Sequence, residues 1–363
     1  MSAQTVALVF GGRSSEHTIS CSTAAGVLSA IDRDRFDVIP IGITREGAYT
    51  LQPDDAALFA MNPERMPSVH DNGTRVHWPE SAATRELTVT EKSGERRSLG
   101  PIDVVFPILH GPWGEDGTIQ GMFELVGLPY VGNGVLASSL GMDKHFTKTA
   151  LAAAGVSVAP WVTVTPHAWA TDRELWQRRA SALGLPLFVK PARAGSSVGV
   201  TKVHSLDELD AALHIAFNED TKALIESAVV GREVECAVLS ARDGGPARVS
   251  VAGEIIVRGR EFYDFEAKYI SPDAAELVCP ADLAPGELAE MQRIAARAFE
   301  AIGGSGLARV DFFFTGTEFI VNELNTMPGF TPISMYPKCW QASGVGYTDL
   351  ITELIELGLA TRR

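Results

Sequence analysis

Near the C-terminal end of the 363-residue chain, Arg309, Asp311, Glu323 and Asn325 stand at spacings that gather acidic and basic groups onto one surface. They lie in two β-rich runs on either side of Thr315-Gly316-Thr317, which reads as a hairpin loop. Side chains alternate faces along a strand, so Arg309 and Asp311 share one face, and Glu323 and Asn325 share another. A loop with an odd number of residues sets Asp311 opposite Glu323; a slip of one residue would separate them. Phe312, Phe314, Phe319 and Val321 are left for the core. Two carboxylates, a carboxamide and a guanidinium, with no His or Cys, make an oxygen-only donor set. Mg²⁺ takes such a set beside phosphate and water. Asn325-Thr326-Met327-Pro328-Gly329 then turns tightly, and Gly329 can bring its N–H close to a ligand. An arginine and a backbone N–H beside a metal suit a developing oxyanion.

Several elements must position this patch. Residues 6–10 form an apolar strand, followed by Gly11-Gly12-Arg13-Ser14-Ser15-Glu16-His17 and a helix over 18–31. Strand, glycine-rich turn and helix open a doubly wound α/β domain, with a second strand over 36–43. The turn is neither a dinucleotide fingerprint nor a P-loop. Residues 52–100 are polar and weakly patterned, which predicts irregular structure, small strands and a subunit contact. A strand over 103–110 delivers His110 into a glycine-rich loop at 111–117, before a helix over 118–126 and a short strand over 128–131. One helix is expected over 142–155. Residues 186–200 read as a strand ending at Lys190, a Gly/Ser loop and a second strand. That loop has the composition to fold over phosphates. A helix over 206–217, a strand over 223–226 and a long helix over 285–302 follow. Residues 261–272 mix aromatics and charge without a period, which fits a loop closing over a site.

Length allows two or three domains. At 45% hydrophobic and 21% charged the chain is an ordinary globular protein, and no run approaches the roughly 18 apolar residues of a membrane span. A net charge of −14 disfavours nucleic acid as a partner. The N-terminus enters a strand with no signal-like segment, so a cytoplasmic location is expected. Cys21, Cys236, Cys279 and Cys339 are far apart in sequence and form no Cys-x-x-Cys, so reduced thiols are expected.

Arg-Val-Asp-Phe at 309–312 and Asn-Glu-Leu-Asn-Thr-Met-Pro-Gly at 322–329 resemble the metal-binding end of the ATP-grasp ligases, above all the D-alanine–D-alanine ligase family. The resemblance spans five ordered blocks, at 11–20, 110–121, 190–199, 263–269 and 309–334. It implies an α/β (α+β), three-domain ATP-grasp fold: an N-terminal doubly wound α/β substrate-binding domain (1–137), and central (138–228) and C-terminal (229–363) antiparallel-sheet domains that sandwich ATP. It implies ATP-dependent joining of two D-alanines through an acyl phosphate, for cell-wall peptidoglycan, by a homodimer. ATP would meet Lys144, Lys190, Ser197, Glu226, Glu233, Phe262, Lys268, Asn322 and Glu323. Asp311, Glu323 and Asn325 would hold two Mg²⁺ or Mn²⁺ ions. Glu16 would pair with the first D-alanine's ammonium and His110 would lie near its carboxylate. Arg309 and the Gly329 N–H would form the oxyanion hole. Ser334 would hold the second carboxylate, with Met335 beside it. Ser196 and Tyr269 would link to Glu16 and latch the loop. Phe265 and Met335 stand where relatives can carry Tyr and Leu, which bears on fine specificity. Lys268-Tyr269 resembles the dipeptide-forming members; a ligase using D-lactate or D-serine is the alternative. A nucleotide sensor without turnover would be expected to lack a metal ligand or Arg309, and none is missing.

Overall fold

The computed structural model describes residues 3–62, 64–257 and 275–361. Phe262, Phe265, Lys268, Tyr269 and the expected closing loop lie outside the described residues. The first part comprises β1 (Gln4–Gly11), α1 (His17–Ala30), β2 (Phe36–Ile43), β3 (Tyr49–Leu51), β4 (Arg75–His77), β5 (Glu86–Thr90), β6 (Arg96–Pro101), β7 (Val104–Ile108) and α2 (Thr118–Leu125). β1 pairs in parallel with β2 and β7, and β3 adds an antiparallel edge. Val6 to Phe10 are all buried, because a central parallel strand is covered on both faces. Within the stretch expected to hold irregular structure and small strands, residues 75–101 build a three-stranded antiparallel sheet, β4-β5-β6. Its alternation is short and diluted by charge. Leu87 and Val89 supply its buried face. Residues 128–131 give only a single bridge, Val105 to Tyr130, rather than a full strand.

α3 (Val135–Met142) and α4 (Lys144–Ala153) replace the single helix expected over 142–155. Asp143 breaks the run: its backbone is extended and its carboxylate accepts the N–H groups of His145 and Phe146, an N-cap that starts a new helix. β8 (Trp161–Val164), α5 (Pro166–Thr171), α6 (Arg173–Ser181), β9 (Leu187–Pro191), β10 (Thr201–Val203), α7 (Leu209–Glu219) and β11 (Ala223–Ser227) follow. Their sheet is antiparallel in the order β10-β9-β11-β8. The last part holds β12 (Arg232–Leu239), β13 (Arg248–Val257), β14 (Ala275–Val278), α8 (Pro285–Ala301), β15 (Leu307–Phe314), β16 (Phe319–Asn325), α9 (Met335–Ala342) and α10 (Tyr347–Ala360). Its antiparallel sheet runs β14-β13-β12-β15-β16.

The β15–β16 hairpin corrects one expectation. Phe314 pairs with Phe319, so the loop is the even-numbered 315–318. Strict alternation would then oppose Asp311 and Asn322. Instead the register shifts between Asp311 and Phe312: Phe312 faces Val321 and Asp311 faces Glu323, leaving Asn322 as the extra residue of a bulge. The bulge, not an odd loop, brings the two carboxylates opposite each other. It also lets Phe319, Val321 and Leu324 all reach the core, at 4%, 0% and 3% exposure, while Glu323 and Asn325 face outward. Phe314 and Phe319 stack at 4.3 Å between ring centroids and secure the loop end.

Candidate active site

Three elements meet at the outward face of this hairpin. Arg309 makes a two-pronged contact with Asp311, Nε to Oδ1 at 2.6 Å and a terminal nitrogen to Oδ2 at 2.7 Å. The same Nε lies 2.7 Å from Glu235 Oε2, carried in by β12, where Glu235 pairs with Asp311. Asn325 donates its amide to Asp311 Oδ2 at 3.0 Å. Lys144, the first residue of α4, lies 3.8 Å from Glu323 Oε2 and donates to the Ala194 carbonyl at 2.7 Å. Burial works against the Arg309 charge, but Asp311 and Glu235 hold its pKa well above the ordinary value. Among the described residues, the carboxylates of Asp311, Glu235 and Glu323 thus gather beside Arg309 and Lys144, and carboxylate oxygens are the donors hard cations take. Among the described residues, no group of three or more His, Cys, Asp or Glu side chains is placed to hold a metal ion by itself. Glu233 lies two residues before Glu235, on the same face of β12.

Behind this face lies a dry ionic cluster. Glu226 on β11 is 3% exposed, with Lys148 Nζ and Lys190 Nζ each 2.7 Å from its carboxylate. Burial alone would raise the Glu226 pKa, but Lys190 and Lys148 bring it below the ordinary value. Lys148 is itself lowered by burial and by Lys190, with Glu226 opposing. The loop after β9 holds Ser196 and Ser197 at φ of 52° and 59°, left-handed geometry uncommon for a residue with a Cβ. Ser196 Oγ donates to Glu16 Oε1 at 2.6 Å.

Glu16 stands just before α1, in a slot between two glycines. A Cβ on Gly111 would lie 2.7 Å from its Oε2, and one on Gly195 would lie 2.9 Å away. His110, at the end of the strand–loop segment after β7, is buried; its Nδ1 contacts the Met327 carbonyl at 3.0 Å and its Nε2 the Thr23 hydroxyl at 3.3 Å. A carbonyl only accepts, so Nδ1 carries the proton and Nε2 accepts from Thr23. Burial lowers the His110 pKa, with Glu16 opposing, which favours the neutral ring. Glu115 accepts the Gly111 N–H at 2.7 Å and the Met327 N–H at 3.0 Å. Part of its side chain reaches the surface, yet the carboxyl is enclosed by backbone. Burial, with the Glu16 charge adding, pushes its pKa up to about 8. The Met327 peptide is therefore gripped at N–H and carbonyl by one loop. Beyond it, Phe330 is fully buried against Phe106 and Tyr336, and the Tyr347 hydroxyl donates to its carbonyl at 2.5 Å. Gly329 is thus fixed from both sides. A Cβ on it would lie 3.3 Å from Ser334 Oγ, which in turn receives the Thr331 N–H at 3.1 Å.

The structure brings together Glu16, Ser196 and His110 with Glu115, and Arg309, Asp311, Glu323, Asn325 and Lys144 with Glu235. Lys190 and Lys148 each meet Glu226 directly, and Gly329 lies beside Ser334. Met335 it places elsewhere: the side chain is 4% exposed and packs on Gly253 of β13, where an added Cβ would sit 2.2 Å from its sulfur. Asn322 occupies the bulge. Three residues escaped sequence reasoning. Lys148 falls one helical turn after Lys144, and Glu235 follows Glu233 at strand spacing; both periods were available as signals. Glu115 had no comparable signal, since it accepts from backbone N–H groups, one of them Met327, far away in sequence.

Two family descriptions match the chain, "D-ala D-ala ligase N-terminus" over residues 5–133 and "D-ala D-ala ligase C-terminus" over residues 150–356. Among curated relatives, the D-alanine--D-alanine ligase of Paenarthrobacter aurescens strain TC1 is 52% identical, across 98% of this chain and 95% of that one. The protein of that name from Streptomyces avermitilis is 50% identical, across 98% and 94%. Among solved structures, the VanG D-Ala:D-Ser ligase from Enterococcus faecalis aligns with a TM-score of 0.84 at 35% identity, covering 98% of this chain and all of that one. The D-alanine-D-alanine ligase from Coxiella burnetii aligns with a TM-score of 0.81 at 34% identity, covering 99% and 94%.

Proposed function

The chain belongs to the D-alanine–D-alanine ligase family, and on that footing we propose how its ATP-grasp fold joins two D-alanines for peptidoglycan synthesis. A carboxylate oxygen of the first D-alanine attacks the γ-phosphorus of ATP, and ADP leaves. The amine of the second D-alanine attacks the resulting acyl phosphate, and the tetrahedral oxyanion expels phosphate. Glu16 holds the first ammonium, and neutral His110 lies by the carboxylate end. Arg309 and the Gly329 N–H face the developing oxyanion. Ser334 accepts the second D-alanine, its hydroxyl toward the carboxylate. Lys144 and Lys190 serve the phosphates with Ser197 and Lys268, and Asn322 and Phe262 belong to the same ATP site. Glu226 orients Lys190, and Glu233 takes the ribose. Asp311, Glu323 and Asn325 are the residues that would hold Mg²⁺ or Mn²⁺, two ions, whose charge offsets that of the triphosphate. Ser196 ties the Gly/Ser loop to Glu16, and Tyr269 completes the latch that excludes water. We place domain boundaries near residues 137 and 228, and a homodimer in the cytoplasm. No helix among the described residues is long and apolar enough to cross a membrane.

One observation carries this reading: Arg309, Asp311, Glu323 and Asn325 share one face of a bulged hairpin, with Glu235 reaching Arg309 from β12 and Lys144 facing Glu323. Phosphate release with ATP and Mg²⁺, followed by mass analysis of products, tests it with D-alanine, D-serine, D-lactate and L-alanine. D-Alanyl-D-alanine is expected from D-alanine, and nothing from L-alanine. Phosphate release without dipeptide, or preferred turnover of D-serine or D-lactate as second substrate, would overturn it. Removing divalent ions should abolish turnover, with Mn²⁺ restoring it.

A further inference from the structure

The fold joins two cysteines that the sequence holds 60 positions apart. Cys279 follows β14, and Cys339 sits within α9. Their sulfurs are 3.8 Å apart. Cys279 is half-buried, whereas Cys339 is 1% exposed. The other two thiols, Cys21 and Cys236, are fully buried. The two partners differ in chemistry as well as access. The contact with the Cys339 sulfur and the nearby Lys338 charge outweigh burial and favour a Cys279 thiolate, so its pKa falls below the ordinary value. Cys339 is displaced upward by that same pairing and by burial. One sulfur is thus the accessible nucleophile and the other a protected second thiol, the arrangement thiol–disulfide exchange requires.

We propose that Cys279 and Cys339 are a modification site for low-molecular-weight disulfides, closing to an intramolecular disulfide that restrains α9. The Cys279 thiolate attacks one sulfur of the small disulfide and expels one thiolate, leaving a mixed disulfide. Cys339 passes its proton to the first expelled thiolate, attacks Cys279 Sγ and expels the second thiolate. Two protein thiols are oxidised, and one small disulfide is reduced to two thiols. The sulfurs must close from 3.8 Å to a bond of about 2.0 Å. That draws α9 toward the end of β14. The helix has little slack, because Met335 is pressed on Gly253 of the intervening β13. The strain therefore falls on its first turn and its N-cap, Ser334. Slower turnover follows, and this second step rests on the assignment of Ser334 to substrate; the cross-link itself does not.

The test incubates the folded protein with oxidised glutathione, alkylates free thiols in denaturant, and maps the peptides. A Cys279 peptide joined to a Cys339 peptide is expected, with Cys21 and Cys236 alkylated. Turnover should fall several-fold with a rise in KM for the second D-alanine, and dithiothreitol should restore it. Cys279→Ser, which alters a group outside the catalytic machinery, should turn over normally and ignore the oxidant. Full alkylation of all four thiols, a stable glutathione adduct on Cys279, or a cross-link from Cys339 to Cys236 would overturn the site. A complete Cys279–Cys339 cross-link with unchanged turnover would overturn the restraint on α9. Because the cross-link is read by mass alone, its outcome is independent of whether the protein is a ligase.

Discussion

Glu226 and Glu115 are both carboxylates taken out of water near the same site, and they respond in opposite ways. Glu226 is met by two ammonium groups at 2.7 Å and titrates below its ordinary value. Glu115 is met by two backbone N–H groups and by the negative charge of Glu16, and its pKa rises to about 8. Burial penalises both ionised forms. What separates them is whether full positive charges stand close enough to repay it. Two N–H dipoles satisfy the oxygens without outweighing desolvation and a like charge. The first cluster therefore orients cations. The second uses a carboxyl as a backbone clamp, holding the Met327 peptide and through it the turn that ends at Gly329.

The largest effect should come from Glu226→Gln, which removes the carboxylate in direct contact with two buried ammonium groups. A loss of about 3–5 kcal/mol of folding stability is expected in denaturant titration; a loss under about 1 kcal/mol would mean that water, not Glu226, balances the lysines. Glu115→Gln should cost less. The amide keeps one acceptor but points an N–H₂ at one of the two backbone donors, so about 1–3 kcal/mol is expected. Because the clamp positions Gly329, kcat should fall more than KM for ATP rises. An unchanged kcat alongside lowered stability would reduce Glu115 to a structural prop.

The pH dependence of stability separates the two sites by sign. For Glu115 the folded value, about 8, exceeds the ordinary 4.5, so the folded state holds the extra proton and its stability falls as pH rises between them. For Glu226 the folded value lies below 4.5, so its contribution is present above that pH and is lost on acidification. Glu115→Gln should flatten the alkaline-side decline, an effect of order 1 kcal/mol given the partial exposure of the side chain. Glu226→Gln should flatten the acid limb instead. If both variants altered the same limb, the contrast would fail. The smallest change is expected for Thr23→Val, which removes a neutral hydroxyl donor from His110 Nε2. Roughly 0.5–1.5 kcal/mol, seen as a modest drop in kcat/KM, would fit a ring already held by Met327.

Much of the site was written locally. Arg309 and Asp311 share a face because strands alternate, and Lys190 ends a strand before a Gly/Ser loop because turn residues cluster there. The opening strand, turn and helix are likewise read from apolar runs and glycine. Asp143 shows where local signals compete: a helical pattern ran through it, and its cap strength split one helix into two.

The remainder depended on distances that no local pattern encodes. The alternation of β15 and β16 predicted facing carboxylates, but a bulge at Asn322 produced them, because core packing of Phe319, Val321 and Leu324 outweighed strict pairing. Glu235 became a partner of Arg309 only when β12 came to lie beside β15. Glu115 gained its pKa, and Cys279 its neighbour Cys339, from contacts between segments remote in sequence. Residue types and their spacing determined which groups this chain could use for chemistry. Desolvation and the summed field of neighbouring charges, which exist only after the sheets pack, decided which of those groups are ionised and which peptide each one holds.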